Sequence, residues 1–146
     1  MQQKSLFTYW GECFTKHYAD FSGRARRREY WGTVLFNVLI QIGLNIILYV
    51  VDTISFSSLE TTGGITLSPL LYLLISIPKY IYSPIWFLPG LAVAVRRLHD
   101  IGKSGWNLLW ILLPIIGWIM LIYWYCQDSQ LGENKWGVNP KLVNPE

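Results

Sequence analysis

Tyr30–Val51 reads YWGTVLFNVLIQIGLNIILYVV, a stretch in which only the tyrosines are ionisable. A hydrocarbon core of ~30 Å is crossed by about 20 helical residues at ~1.5 Å rise each. The stretch is long enough to cross. Trp106–Tyr125, WNLLWILLPIIGWIMLIYWY, has the same character. Of the 146 residues 52% are hydrophobic and 14% charged, whereas a soluble domain carries about 25% charged residues to solvate its surface. A soluble chain of this size could not cover both runs. The composition therefore predicts an all-α membrane protein, organised as one membrane domain over residues 1–146.

Outward from these runs, the middle apolar region Leu67–Val95 is interrupted by Pro69, Pro78, Lys79, Pro84 and Pro89. A span at 78–97 fits the bilayer, with Lys79 snorkelling at the outer interface, and leaves Leu67–Ile77 as an interfacial or re-entrant piece. The expected total is three transmembrane helices, 30–51, 78–97 and 106–125. A double crossing in the middle region would make it four. Asp52–Ser68 is rich in Ser, Thr and Gly and predicts a polar loop turning at Gly63-Gly64. Pro114 predicts a kink in the third span.

Residues 5–21 place Leu6, Phe7, Trp10, Cys13, Phe14, His17, Tyr18 and Phe21 at helical spacing, with Thr8, Glu12, Lys16 and Asp20 largely opposite. This predicts an amphipathic helix lying in the membrane interface. The opening MQQKSLFTYWGECF lacks an apolar core followed by a small-residue cleavage site, so the first span is expected to act as an uncleaved insertion signal. Ser22 and Ser104, each followed by glycine, are expected to cap the helices that follow them. Residues 126–146 are polar and turn-rich, and predict a looped tail.

Charge predicts orientation. Residues 1–29 carry six Lys or Arg and 96–105 carry three, while 52–68 carry none and the tail carries two. Basic segments stay cytoplasmic. Three spans then put the N-terminus in the cytoplasm and the tail on the periplasmic side, and keep Cys13 and Cys126 from pairing.

The ordered motifs FSGRARRREYW (Phe21–Trp31), RRLHDIGKSGW (Arg96–Trp106) and GENKWGVNPK (Gly132–Lys141) resemble the YhaH-like small bacterial inner-membrane proteins. The resemblance covers nearly the whole chain, with residues 52–77 outside its pattern. It implies a plasma-membrane location and a single domain, and carries over no catalytic residues.

Two sets of polar residues are candidates for function. The basic clusters Arg24, Arg26, Arg27, Arg28 and Arg96, Arg97, His99, Asp100, Lys103 have the composition of an anionic-headgroup site. Arginines would act as bidentate donors, and Asp100 would hold a guanidinium or the imidazole. The same residues serve equally as a membrane anchor and turn. Nucleic acid is not the expected partner, because the arginines adjoin a span and so sit among lipid phosphates. Within the first span, Thr33, Asn37, Gln41 and Asn45 recur every fourth residue. This polar stripe should face other helices as hydrogen-bonding glue, or line a pathway in an oligomer. Cys13 and His17 share a helix face but lack further ligands, so no metal or cofactor is expected, and no catalytic triad or oxyanion motif occurs. The reading is a non-enzymatic membrane scaffold or modulator, partnered by the bilayer, anionic phospholipids, and a homo-oligomer or membrane-protein partner. The alternative is an oligomeric small-solute carrier or channel built on the stripe.

Overall fold

The computed structural model describes residues 5–62 and 68–143. It is helical throughout, with no strand among the described residues: α1 (Leu6–Thr15), α2 (Arg27–Thr62), α3 (Ser68–Asp100), a 3-10 segment (Gly105–Leu112), α4 (Ile116–Cys126) and α5 (Pro140–Val143). Among the described residues, Arg27–Ile54 is long and apolar enough to cross a membrane. Its mean hydropathy is 2.3 and only 6% of its most apolar window is buried. Side chains such as Leu39, Ile42, Ile46 and Tyr49 point outward, as a helix must if its solvent is lipid. Carbonyls and amides are satisfied within the helix, which lipid demands.

The expected loop at Asp52–Ser68 does not begin at Asp52. The helix continues to Thr62: no Gly or Pro occurs between Asp52 and Gly63, and the threonine hydroxyl of Thr53 back-bonds to the Tyr49 carbonyl at 2.8 Å. The Gly63-Gly64 turn lies outside the described residues. Likewise Leu67–Ile77 is no separate piece: from Ser68 onward it is the first part of α3. Each internal proline removes one backbone bond and tends to kink a helix, yet the helix runs on past Pro78, Pro84 and Pro89 to Asp100.

The chain divides into two compact units, Met1–Phe36 with Phe87–Glu146, and Asn37–Trp86. In the second, α2 and α3 run antiparallel and are tied by polar bonds. Tyr82 Oη donates to Asn37 Oδ1 at 3.1 Å and Lys79 Nζ to Asn45 Oδ1 at 2.7 Å. In the first, Ala92, Val93, Ala94 and Leu98 of α3 are buried among Leu121, Trp124 and Tyr125 of α4, with Tyr30 of α2 against both clusters. The helix expected over 5–21 is shorter, ending at Thr15 with Ser5 as its N-cap. Its apolar face packs on α2: Leu6 meets Gly32, Cys13 meets Thr33, and Phe7 and Trp10 stack near Phe36.

Residues 106–125 do not form one helix. The 3-10 segment, capped by Ser104, runs out; the chain reverses at Pro114-Ile115; α4 runs back. Ile115 takes φ 66° and ψ −68°, and Ile116 N donates to the Pro114 carbonyl at 2.8 Å, a γ-turn of the rare strained kind. Pro114 lacks the N–H that would continue a helix, so the expected kink becomes a reversal. Gly117 makes the return possible, because it passes so close to the Trp110 carbonyl that any Cβ would overlap it. Trp118 Nε1 bonds the Ile111 carbonyl at 3.0 Å across the pair. Eight 3-10 residues and eleven α residues give legs of about 16 Å each, roughly half a bilayer.

Gly117→Ala should therefore open the hairpin and lower stability in detergent by about 1–3 kcal/mol. Gly11→Ala, with free space around it, should raise stability by about 0.5–1 kcal/mol. Ile115→Gly, which relieves a positive φ, should also stabilise. Thermal unfolding of the three variants checks the set; an unaffected Gly117→Ala protein would show that the hairpin is not closed.

Candidate functional site: a polar cap held by a buried ion cluster

Three segments remote in sequence converge in the first unit: Ser22–Arg28, Arg96–Ser104 and Gln127–Lys141. Asp100, fully buried, is their hub. Its Oδ1 accepts from Arg24 Nε at 3.0 Å, and its Oδ2 accepts from Arg97 Nη1 and from Ser129 Oγ, the latter at 2.6 Å. Arg24 then spends everything else it has on the backbone. Nη1 donates to the Gly132 and Gly137 carbonyls at 2.8 and 3.1 Å, and Nη2 to the Asp100 and Gln130 carbonyls at 3.2 and 2.6 Å. A guanidinium has five N–H donors, and here all five are placed. Arg97 donates to the Tyr125 carbonyl from Nε and Nη2, both at 3.3 Å, and to the Gln127 carbonyl.

This reassigns two members of the expected headgroup site. Arg24 and Arg97 side chains are 1% and 0% exposed, with their donors consumed by the protein, so a lipid phosphate has no access to them. Arg96 is also buried and bonds Glu29 Oε1 at 2.8 Å, while its carbonyl accepts from Ala25 N at 3.1 Å. Arg26 is buried beside it. Arg27 stays exposed, 3.4 Å from Asp128, and Arg28 is half-buried. Lys103 lies over the Trp124 ring at 4.6 Å.

His99 is not held by Asp100. Its ring stacks on Trp136 at 4.4 Å, with Nδ1 3.3 Å from the Gly23 carbonyl. Burial pushes its pKa below 6.5, partly offset by that carbonyl, and Lys135 lowers it further. Ser22 caps no helix. Instead, its amide and hydroxyl donate to Asp20, which with His17 hold that carboxyl down to about 2. Gly102, at φ 77°, turns the chain against Gln130, whose amide bonds the Asp100 carbonyl at 2.9 Å.

The stripe also separates. Thr33 is buried, bonded to the Glu29 carbonyl at 2.7 Å and to Cys13 Sγ at 3.5 Å. Asn37 and Asn45 bond Tyr82 and Lys79 of α3, and Asn45 Nδ2 donates to the Gln41 carbonyl at 2.7 Å. Cys13 and His17 take different partners, Thr33 and Asp20, and no group of three metal-ligating side chains occurs among the described residues. Both cysteines are free thiols, Cys13 buried and Cys126 exposed.

Glu29, Ser129, Trp136 and the tail carbonyls of Gln127–Gly137 were not expected at this site. Only the motif GENKWGVNPK marked the tail in the sequence, and nothing in a motif says which carbonyls an arginine will reach.

A helical chain with an outward apolar surface and an arginine-clasped polar cap has the build of a membrane protein. The chain belongs to the family described as "Protein of unknown function (DUF805)", whose profile matches residues 18–138. It is 37% identical to "Inner membrane protein YhaH" of Escherichia coli (strain K12) over 127 residues, covering 87% of this chain and 92% of that protein. It is 38% identical to "Inner membrane protein YhaI" of the same strain over 136 residues, covering 91% and 96%. Neither relative carries an enzymatic name. No solved structure matches the chain.

Asp100→Asn removes the anion between two buried guanidinium groups and should cost on the order of 3–5 kcal/mol. Arg27→Ala, which breaks an exposed pair, should cost about 0–1 kcal/mol. Thermal unfolding compares them, and limited proteolysis should find the tail released only in the first. Equal, small losses would mean that water reaches the cluster.

His99 yields a pH prediction of definite sign. Its folded pKa lies below its unfolded value of 6.5, so the unfolded chain binds the extra proton and stability falls as pH drops from 6.5 toward the folded pKa. The loss should set in as pH falls through about 6.5, the unfolded value, and should vanish in His99→Gln. Asp20 and Asp128, both depressed, lose their contribution only at more acidic pH.

Proposed function

We propose that this chain is a non-enzymatic scaffold or modulator of the bacterial inner membrane, crossing the bilayer twice and presenting its polar cap at the cytoplasmic headgroup layer. The observation that carries this reading is the clasp of Arg24, Arg97 and Asp100, which binds the tail to both basic segments. If these segments share one side of the membrane, the run 106–125 must return to the side it left. A hairpin with legs of about 16 Å reaches only the middle of the bilayer. Its outward side chains, Trp106, Leu112, Ile115, Ile116, Ile119 and Ile122 among them, are apolar enough for one leaflet.

Charge supports the same orientation. Eleven of the twelve Lys and Arg residues fall in 1–29, 96–105 and the tail, so a cytoplasmic tail satisfies the positive-inside bias with no basic segment left outside. Exposed cations such as Lys16 and Arg27 would hold anionic headgroups at about 1 kcal/mol each. The single-leaflet hairpin would occupy inner-leaflet area without matching area outside, a geometry suited to organising lipid or a membrane-protein partner around the cap.

Reporter fusions test the topology. Fusions before residue 1 and after Glu146 should both report cytoplasmic, and a single cysteine at Ile115 should resist water-soluble maleimide from either side. A periplasmic report after Glu146 would restore three crossings. Ready labelling of Ile115→Cys from the periplasm would make the hairpin two full crossings.

A further inference from the structure

Beside the clasp, in the same unit, lies a cavity of about 280 Å³ walled by α1, the Asp20–Arg26 loop, the start of α2 and the end of α3. Arg96 lines it. The residue is 4% exposed, its Nη1 is committed to Glu29, and its Nε and Nη2 are buried with no hydrogen-bond partner. These two N–H groups form one edge of the guanidinium plane, the parallel fork that takes two oxygens of one carboxylate or phosphate. Buried donors of a charged group are costly to leave unmade. Arg24, on the same cavity wall, has every donor filled, whereas the Nε–Nη2 edge of Arg96 has no oxygen acceptor and can take one from outside the chain.

We propose that this cavity binds a phosphate-type oxyanion on the Nε–Nη2 edge of Arg96, with Tyr9, Ser22 and Arg26 on the surrounding wall. The wall's carboxylates have internal partners: Glu29 takes Arg96 Nη1, Asp20 takes His17 and Ser22, and Glu12 takes Lys16. Cys13 lies within hydrogen-bonding reach of Arg96, but burial raises its pKa and keeps the thiol uncharged, so it offers the guanidinium only a weak sulfur acceptor. Three arginines and three carboxylates line the space, so the wall exerts little net field, and recognition rests on the fork's geometry rather than on diffuse attraction. The volume admits a single phosphate group, either free phosphate or the phosphate of a lipid headgroup reaching the cap. Only the lipid source rests on the membrane placement proposed above.

The test uses the full chain, purified in a detergent without phosphate. Inorganic phosphate, titrated against sodium chloride at equal ionic strength, should raise the unfolding temperature saturably and broaden the phosphorus NMR signal. Arg96→Lys keeps the charge and the reach to Glu29 but lacks the fork, and should weaken phosphate binding at least tenfold. The variant Lys135→Ala, outside the cavity, should leave it within twofold. A parent protein that responds to phosphate no more than to chloride overturns the site, which would then hold water only; this arm stands even where Arg96→Lys fails to fold. Undiminished binding in a folded Arg96→Lys protein overturns it as well. Mass spectrometry of lipid retained from native membranes names the source. Phospholipid lost specifically in Arg96→Lys identifies a headgroup, whereas equal retention alongside lost phosphate binding identifies the free ion.

Discussion

The carboxylate of Asp100 between two buried guanidinium groups is the contact on which the first unit depends. Removing three charges from water costs several kcal/mol per ion, and mutual attraction offsets it only when the remaining donors are also filled. Here they are filled by backbone: Arg24 and Arg97 reach carbonyls from Tyr125 to Gly137. The cluster is therefore less a source of net stability than a registry device. A tail without helical period acquires one position, because its carbonyls there accept the guanidinium donors that Asp100 leaves over. Trp136 on His99 and Asn134 on the His99 carbonyl, at 2.9 Å, follow from that placement.

Outside the cap the physics is inverted. The side chains of α2, α3 and the hairpin leave Leu, Ile, Phe and Trp outward, which water would not tolerate and lipid accepts. What lipid does not accept is an unsatisfied backbone group. The reversal at Ile115 is accordingly tight, with its γ-turn bond and the Gly117 amide on the Leu113 carbonyl at 3.0 Å. In the membrane placement proposed above, a wide loop there would strand polar groups in lipid. The strained φ of Ile115 is the local cost of that economy.

The basic residues illustrate how one composition divides into different jobs. Arg24 and Arg97 act as internal cross-links, Arg96 joins α3 to α2 through Glu29, and Arg27 remains at the surface. Exposure and donor occupancy separate these roles. Charge alone does not, and both basic clusters contain members of each kind. The polar stripe divides in the same manner, with Thr33 bound to α1 and to its own helix while Asn37 and Asn45 join α3.

Much was determined by the sequence itself: the helical membrane class, the first span, the family motifs, the Ser104 cap and the clustering of Lys and Arg in residues 1–29 and 96–105. These properties live in local composition and spacing, where an uncharged run of sufficient length or a serine before a helical turn has few physical alternatives. The path of 106–125 was not legible in the same way, since twenty apolar residues with one central proline fit a kinked span and a hairpin equally well by hydropathy. What decided between them was Gly117 passing against Trp110 and the clasp recapturing both ends. The helical length of 52–62 and the continuity of α3 past its prolines likewise emerged only in the structure. Membership of the cap was decided only in three dimensions. Asp100 and the carbonyls of Gln127–Gly137 are separated by about thirty residues of chain, and a carbonyl carries no sequence signature. Which donors meet which acceptors depends on the fold having closed.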